Sequence, residues 1–129
     1  MLASWVQQAA FEPPMVSVAV NKERYLTNWL RDGAPAALSI LAKSQTALLK
    51  HFARGFEPGT PAFEGLEVER SSRGLPVLSA AIGYLEGEVA SATDAGDHTV
   101  YLLRLIGAGE GTAVDEAPMV HLRKSGFRY

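Results

Sequence analysis

The sequence predicts a mainly β domain, a small barrel decorated by helices. Three observations point to that class. Short apolar runs stand at strand length, only two stretches have helical spacing, and glycines and prolines punctuate the gaps. With 129 residues, 47% of them hydrophobic, the chain suits one compact domain with its own core.

Pro13 and Pro14 fix an extended approach to residues 15–20, "MVSVAV", whose alternation reads as a strand. Asn21 then caps a short helix with Tyr25, Leu26, Trp29 and Leu30 on one face, and Gly33 stops it. Residues 36–41 form a buried strand. Ser44 caps a second helix, in which Leu48, Leu49 and Phe52 turn inward and Gly55 ends the run. The stretch "GFEPGTPAFEG" is a loop, residues 66–69 are a short strand, and Gly74 and Pro76 mark the next turn. Residues 82–92 alternate, with Ile82, Tyr84 and then Leu85 or Val89 inward. A turn over residues 94–96, longer than two residues, leads into the strand 98–106 and completes the best hairpin of the chain. Residues 107–118 read as a loop, and "MVHLRKSGFRY" as strand, turn and short strand.

Charge and composition exclude several function classes. A formal net charge of −2 and a pI near 5.9 give no global positive field for nucleic acid or an anionic membrane. There is no cysteine, which removes disulfides and thiolate metal sites and fits a cytoplasmic setting. No apolar stretch approaches the ~18 residues that span a bilayer. The opening "MLASWVQQAAFEPP" has neither the basic start nor the continuous apolar core of a secretory signal.

Three segments offer ligand chemistry. "ASWVQQAAF" brings a hydroxyl, an aromatic ring and two amides to one extended edge, able to face a flat heteroaromatic ligand with Trp5 as a wall. The same composition serves an ordinary strand with Trp5 and Val6 in the core and Gln7 and Gln8 in water. "NKERYLTNW" puts Lys22 and Arg24 in a first helical turn and Thr27 one turn on, which suits a phosphate. In "LLKHFARGF", Lys50 and Arg54 share a helix face beside His51, either a second anion-facing surface or a solvated face.

"DAGDHTVYL" sets a turn, an acid and a histidine at the mouth of an apolar run. Asp97 can fix the tautomer of His98 or raise its pKa. His51, His98 and His121 are far apart and lack clustered carboxylates, so neither a zinc set nor a Ser/His/Asp arrangement is indicated. On spacing alone, a lone histidine at a strand start is more often a hydrogen-bonded structural residue than a catalytic one.

The segments "ASWVQQAAFEPPMVSVAVNKER", "LLKHFARGFEPG", "FEGLEVER", "LPVLSAAIGYLEGEV", "AGDHTVYL" and "VHLRKSGFRY" occur in an order that resembles flavin reductase-like domains, which are FMN-binding split β-barrels. The likeness covers almost the whole chain and is nearest to flavoredoxin-like proteins and to the C-terminal flavin reductase domain of cyanobacterial diflavin flavoproteins. It implies FMN as cofactor, often held across a homodimer interface. Ala3, Ser4, Trp5, Val6, Gln7 and Gln8 would line the isoalloxazine. Lys22, Arg24 and Thr27 would lie towards the phosphate, with His51, Phe52 and Arg54 closing over the same side. His98 matches the histidine of the family's "GDH" motif, near flavin or nicotinamide, and is the catalytic candidate.

The chain also departs from that pattern. Relatives carry a strand and turn before "ASWV", so a domain over residues 1–129 can lack its first strand and leave an edge beside Ala3 and its neighbours. Ser39 stands where asparagine is expected, and Gly87 where many relatives of this branch have cysteine. The implied activity is electron transfer from NAD(P)H to flavin, or onward to a redox protein, a small acceptor or fused flavodiiron domains. Two alternatives stand beside it: a flavin-holding electron-transfer module without NAD(P)H turnover, and a small-barrel binding module without catalysis. The acidic pI and the lack of interleaved basic and aromatic residues count against nucleic acid in the last case.

Overall fold

The computed structural model describes residues 1–120, so the expected terminal strand, turn and short strand lie outside the described residues from residue 121 on. β1 is Val6–Ala10 and β2 is Met15–Asn21, in which Val16, Val18 and Val20 are buried and their neighbours half-buried. β3 is Pro35–Ile40, α1 is Thr46–Ala53, and β4, Val68–Arg70, pairs with β5, Pro76–Leu78, as a separate two-stranded unit. β6, Gly83–Ala95, and β7, His98–Glu110, are the two long strands. The main sheet runs β1-β2-β7-β6-β3 with every pair antiparallel.

Two register shifts in the β6–β7 ladder, at Glu86/Gly87 and Val89/Ser91, are bulges that bend the pair. No ladder among the described residues joins β1 to β3, so the curled sheet is open between those edges. This is the mainly β, split-barrel architecture that the sequence predicts. Val16, Val18, Val20, Val89, Tyr101 and Leu103 fill its inner face, with Ala3, Leu38 and Leu85 packed against them. A second cluster, Phe52, Leu78 and Ala81, ties α1 to β5. Burying a valine contributes about 1.5–3 kcal/mol and a net hydrogen bond about 0.5–1.5 kcal/mol, so the three valines and the two ladders that flank β2 hold it to a comparable degree.

Several elements differ from expectation. The first helix is one 3-10 turn, Tyr25–Asn28, with Arg24 at its cap position and none of its residues buried. Asn21 ends β2 and accepts the Glu23 N–H at 2.8 Å, an Asx turn rather than a helix cap. So short an element cannot bury a face: Tyr25 is 40% and Trp29 58% exposed, their rings edge to face. In α1 the cap position belongs to Gln45, whose side chain instead bridges Ala42 N–H and Ala80 O, while Ser44 Oγ donates to Glu116 at 2.6 Å.

Further along, the short strand begins two residues late. Pro76 opens β5 instead of marking a turn, a place where its missing N–H costs little. Ala95 pairs with His98, so Gly96 and Asp97 alone make the hairpin connection, which is two residues and not longer. β7 continues to Glu110, through residues expected to be loop. Gly87 sits at a bulge where a Cβ would come within 2.7 Å of the Arg104 carbonyl oxygen, which accounts for glycine in this chain. Ser39 Oγ accepts the Leu78 N–H at 3.1 Å and so pins β5 to β3.

Candidate functional site

A groove of about 1270 Å³ opens over the inner face of the sheet, larger than the roughly 300–1,000 Å³ of most small-molecule sites. Val18, Val20, Tyr101 and Leu103 form its apolar floor. The 3-10 turn, β3, the end of α1 and the loop of residues 56–65 make its walls. Of the expected site residues, Ala3, Lys22, Arg24, Thr27, Phe52 and Arg54 all line this groove, although they come from three separate parts of the chain.

Their states differ. Lys22 is committed to the β6–β7 hairpin: its ammonium pairs with Asp94 and its N–H donates to Asp97 O. The hydrogen bond from Lys22, then that from the Gly96 N–H, holds the Asp94 carboxyl below the usual carboxylate range. Thr27 Oγ donates to Arg24 O at 2.8 Å, so it must rotate before it can donate to a phosphate. Arg24 and Arg54 have no carboxylate within ion-pair distance among the described residues. Arg24 crosses the end of α1: a Cβ on Gly55 would lie 2.5 Å from its Nη1, so the bare backbone there gives the guanidinium its path. The Arg54 guanidinium lies 5.0 Å from the centre of the Phe56 ring. Two guanidiniums without carboxylate partners therefore stand where the 3-10 turn meets α1.

Phe52 is a core residue, 7% exposed. His51 does not line the groove. Its ring meets Phe52 edge to face at 4.8 Å and Phe56 at a tilt at 4.9 Å, and Nε2 bonds Ala62 O at 2.8 Å.

The remaining expected residues follow the segment 1–5, which runs from α1, where Leu2 N–H donates to Phe52 O, to β2, where Ala19 N–H donates to Trp5 O. Ser4, with Ala3, Ile40 and Leu49, lines a smaller cavity of about 330 Å³. Trp5 and Val6 are 46% and 39% exposed, so neither is a core residue. Val6, Gln7 and Gln8 lie exposed on the edge strand β1, outside both cavities.

His98 is 13% exposed and faces Trp5, ring centres 4.8 Å apart and tilted by 41°. It starts β7 on the face opposite the buried Tyr101 and Leu103. Its Nδ1 lies 2.9 Å from Asp97 Oδ1, and this hydrogen bond is the main cause that lowers the Asp97 carboxyl. An ionised carboxylate only accepts, so Nδ1 carries a proton and, in the neutral ring, Nε2 is left as an acceptor.

Nothing in the local pattern pointed to Glu86, which is 1% exposed near the start of β6. Ser71 and Ser72 hydroxyls and the Arg73 N–H all donate to it, and the Ser71 hydroxyl, then that of Ser72, lowers its pKa most. In "YLEGEV" it alternates like a surface acid. The facing Phe56 and Phe63 of the groove wall were equally hidden, though two phenylalanines in a Gly/Pro-rich loop are a usable signal.

A family model described as flavin reductase like domain matches residues 1–128. Among curated proteins, diflavin flavoprotein A 1 of Synechocystis sp. is 38% identical over 130 residues, which are 100% of this chain and 22% of that protein. Putative diflavin flavoprotein A 3 of Nostoc sp. is 38% identical over 135 residues, with the same coverage of 100% and 22%. The chain thus spans about a fifth of the length of these curated relatives. Among solved structures, the NADH:FAD oxidoreductase SgcE6 of Streptomyces globisporus C-1027 is similar with a TM-score of 0.82 and 26% identity, covering 92% of this chain and 70% of that one. BorF, the flavin reductase component of a bacterial two-component tryptophan halogenase, has a TM-score of 0.73 and 26% identity, covering 85% and 70%.

Proposed function

The chain belongs to the flavin reductase like domain family, and we propose that it holds FMN and passes electrons to it from NAD(P)H in the cytoplasm. What supports FMN most is the pair Arg24 and Arg54 at one end of a groove with an apolar floor. One terminal phosphate needs one cationic pocket, and the sequence has no Gly-rich dinucleotide fingerprint to serve a second. The residues present therefore fit the group: the guanidiniums take the phosphate, and the floor of Val18, Val20 and Leu103 keeps water from a flat ring.

Bound there, the flavin supplies acceptance of a hydride, two electrons and a proton, from NAD(P)H, which leaves as NAD(P)+. The chain's own part is to orient. Ala3, Ser4, Trp5, Val6, Gln7 and Gln8 would line the ring along the segment that leads from the groove to β1, and the ring of His98 packs against Trp5 beside it. His98 orients the nicotinamide through the ring nitrogen that Asp97 leaves available. Because β1 has no second ladder partner among the described residues, a homodimer would complete the seam.

The likeness to diflavin flavoproteins supports a second reading within the family. In that reading the chain is a module that hands electrons to attached flavodiiron domains, or to a separate redox partner, without turning over NAD(P)H alone. Flavin released by heat from the purified chain should run as FMN on chromatography, and NADH or NADPH should then bleach the bound flavin anaerobically. Mostly FAD, or no binding at micromolar flavin, rejects the cofactor. FMN without bleaching leaves the electron-transfer module.

A further inference from the structure

The loop of residues 56–65 is bonded chiefly to itself. Thr60 N–H donates to Glu57 O, Ala62 N–H to Thr60 O and Glu64 N–H to Pro61 O, and Leu66 N–H closes on Phe63 O. Among the described residues one polar contact ties the loop to the rest of the molecule: His51 Nε2 to Ala62 O at 2.8 Å. A carbonyl only accepts, so Nε2 is the donor and carries the proton. The other anchors are rings, with Phe63 at 5.6 Å from Phe52 and Phe56 at 4.9 Å from His51. Gly55 and Gly65, both with φ of +76°, stand at the two ends in a conformation that glycine adopts at no steric cost. Between them, Phe56 through Glu64 line the groove without a break.

We propose that this loop is a hinged wall of the groove and that His51 is the positioning residue that holds it shut, setting how fast a flavin leaves. The proposal rests on the flavin reading of the groove. It gives His51 a different task from direct contact with the cofactor, because its Nε2 proton is already donated to Ala62. A segment with so few bonds to its surroundings opens below the free energy of global unfolding, and the wall can swing while the sheet stays whole.

Amide hydrogen exchange on the flavin-free chain, wild type against His51→Ala and His51→Gln, reads the hinge. Stopped-flow release of FMN from the loaded chain reads the gate. His51→Ala should speed exchange in residues 56–65 while β2, β6 and β7 are unchanged, and should release FMN roughly ten-fold faster, the size of one net hydrogen bond. His51→Gln, whose amide still donates, should recover most of both. Unchanged exchange in the loop, or a rise spread equally over the sheet, overturns the proposal. A loosened loop with unchanged FMN release overturns the gate and leaves the flavin reading standing. A chain that binds no FMN ends both, while exchange still tells whether His51 holds the loop.

Discussion

Among the described residues two contacts act on the ring of His98: Asp97 takes Nδ1 and Trp5 packs against the ring. The first was legible in the sequence, because the partners are adjacent. The second was not, since 93 positions separate residues 5 and 98 and only the order β1-β2-β7 brings them together. The ring lies outside the valine cluster, so its loss should spare the fold. We expect His98→Ala to keep most FMN binding and to lower kcat/KM for NAD(P)H about ten-fold or more, a loss of about 1.4 kcal/mol. Stopped-flow reduction of bound flavin measures this, with melting temperature as control. Normal reduction kinetics beside a large fall in Tm would make His98 structural. Glu86 shows the opposite limit of reading residues singly: its partners lie 13 to 15 positions away, and nothing in its own stretch marks it as buried.

Among the elements, β2 was legible because alternation and burial coincide, residue by residue, through Val16, Val18 and Val20. The 3-10 turn was misjudged because spacing shows which side chains share a face, not whether the element is long enough to bury it. The β4–β5 hairpin depends on a contact that no local pattern reveals. Its turn hangs on Glu86 through Ser71, Ser72 and Arg73, and Ser71 Oγ in turn accepts the Leu75 N–H at 3.1 Å. These bonds favour the carboxylate, so the native pKa of Glu86 lies below its unfolded value. The unfolded chain then binds more protons in the window between the two, and stability rises with pH there. The contribution is complete above the ordinary glutamate value of about 4.3 and is lost as pH falls through the depressed native value. Glu88, lowered first by Arg73, and Asp94 and Asp97 titrate in the same direction, so the difference between variants isolates Glu86. Glu86→Gln should melt lower than wild type at neutral pH, and the gap should narrow towards pH 3. A gap constant from pH 7 to pH 3 would show that the carboxylate's charge does nothing for the hairpin.

At the scale of the molecule, the ordered segments from "ASWV" to "GDH" place the chain in its family, because together they mark a topology that no single one of them specifies. The groove was legible only in part: cations at two chain positions suggested one phosphate end, but only the curl of the sheet brings Arg24 to the end of α1. The edge of the sheet poses the remaining question. Among the described residues β1 has one ladder partner, β2, and four of its five residues are exposed. Trp5 and Val6 stand exposed on this edge, and Phe11, just beyond the strand, is 86% exposed. An open apolar edge invites pairing, and a second copy of the chain is the partner that would cover it symmetrically. A stable interface of this kind buries about 800 Å² on each partner, so the expected seam extends from the edge over neighbouring surface around Trp5 and His98. The FMN-loaded chain should therefore scatter light as a particle near twice 13.8 kDa. Val6→Lys should shift it towards the single-chain mass and weaken flavin retention together, since the proposed site puts the ring beside this edge. A single-chain mass for the wild type with flavin still bound rejects the homodimer, and with it the idea that a second copy completes the site.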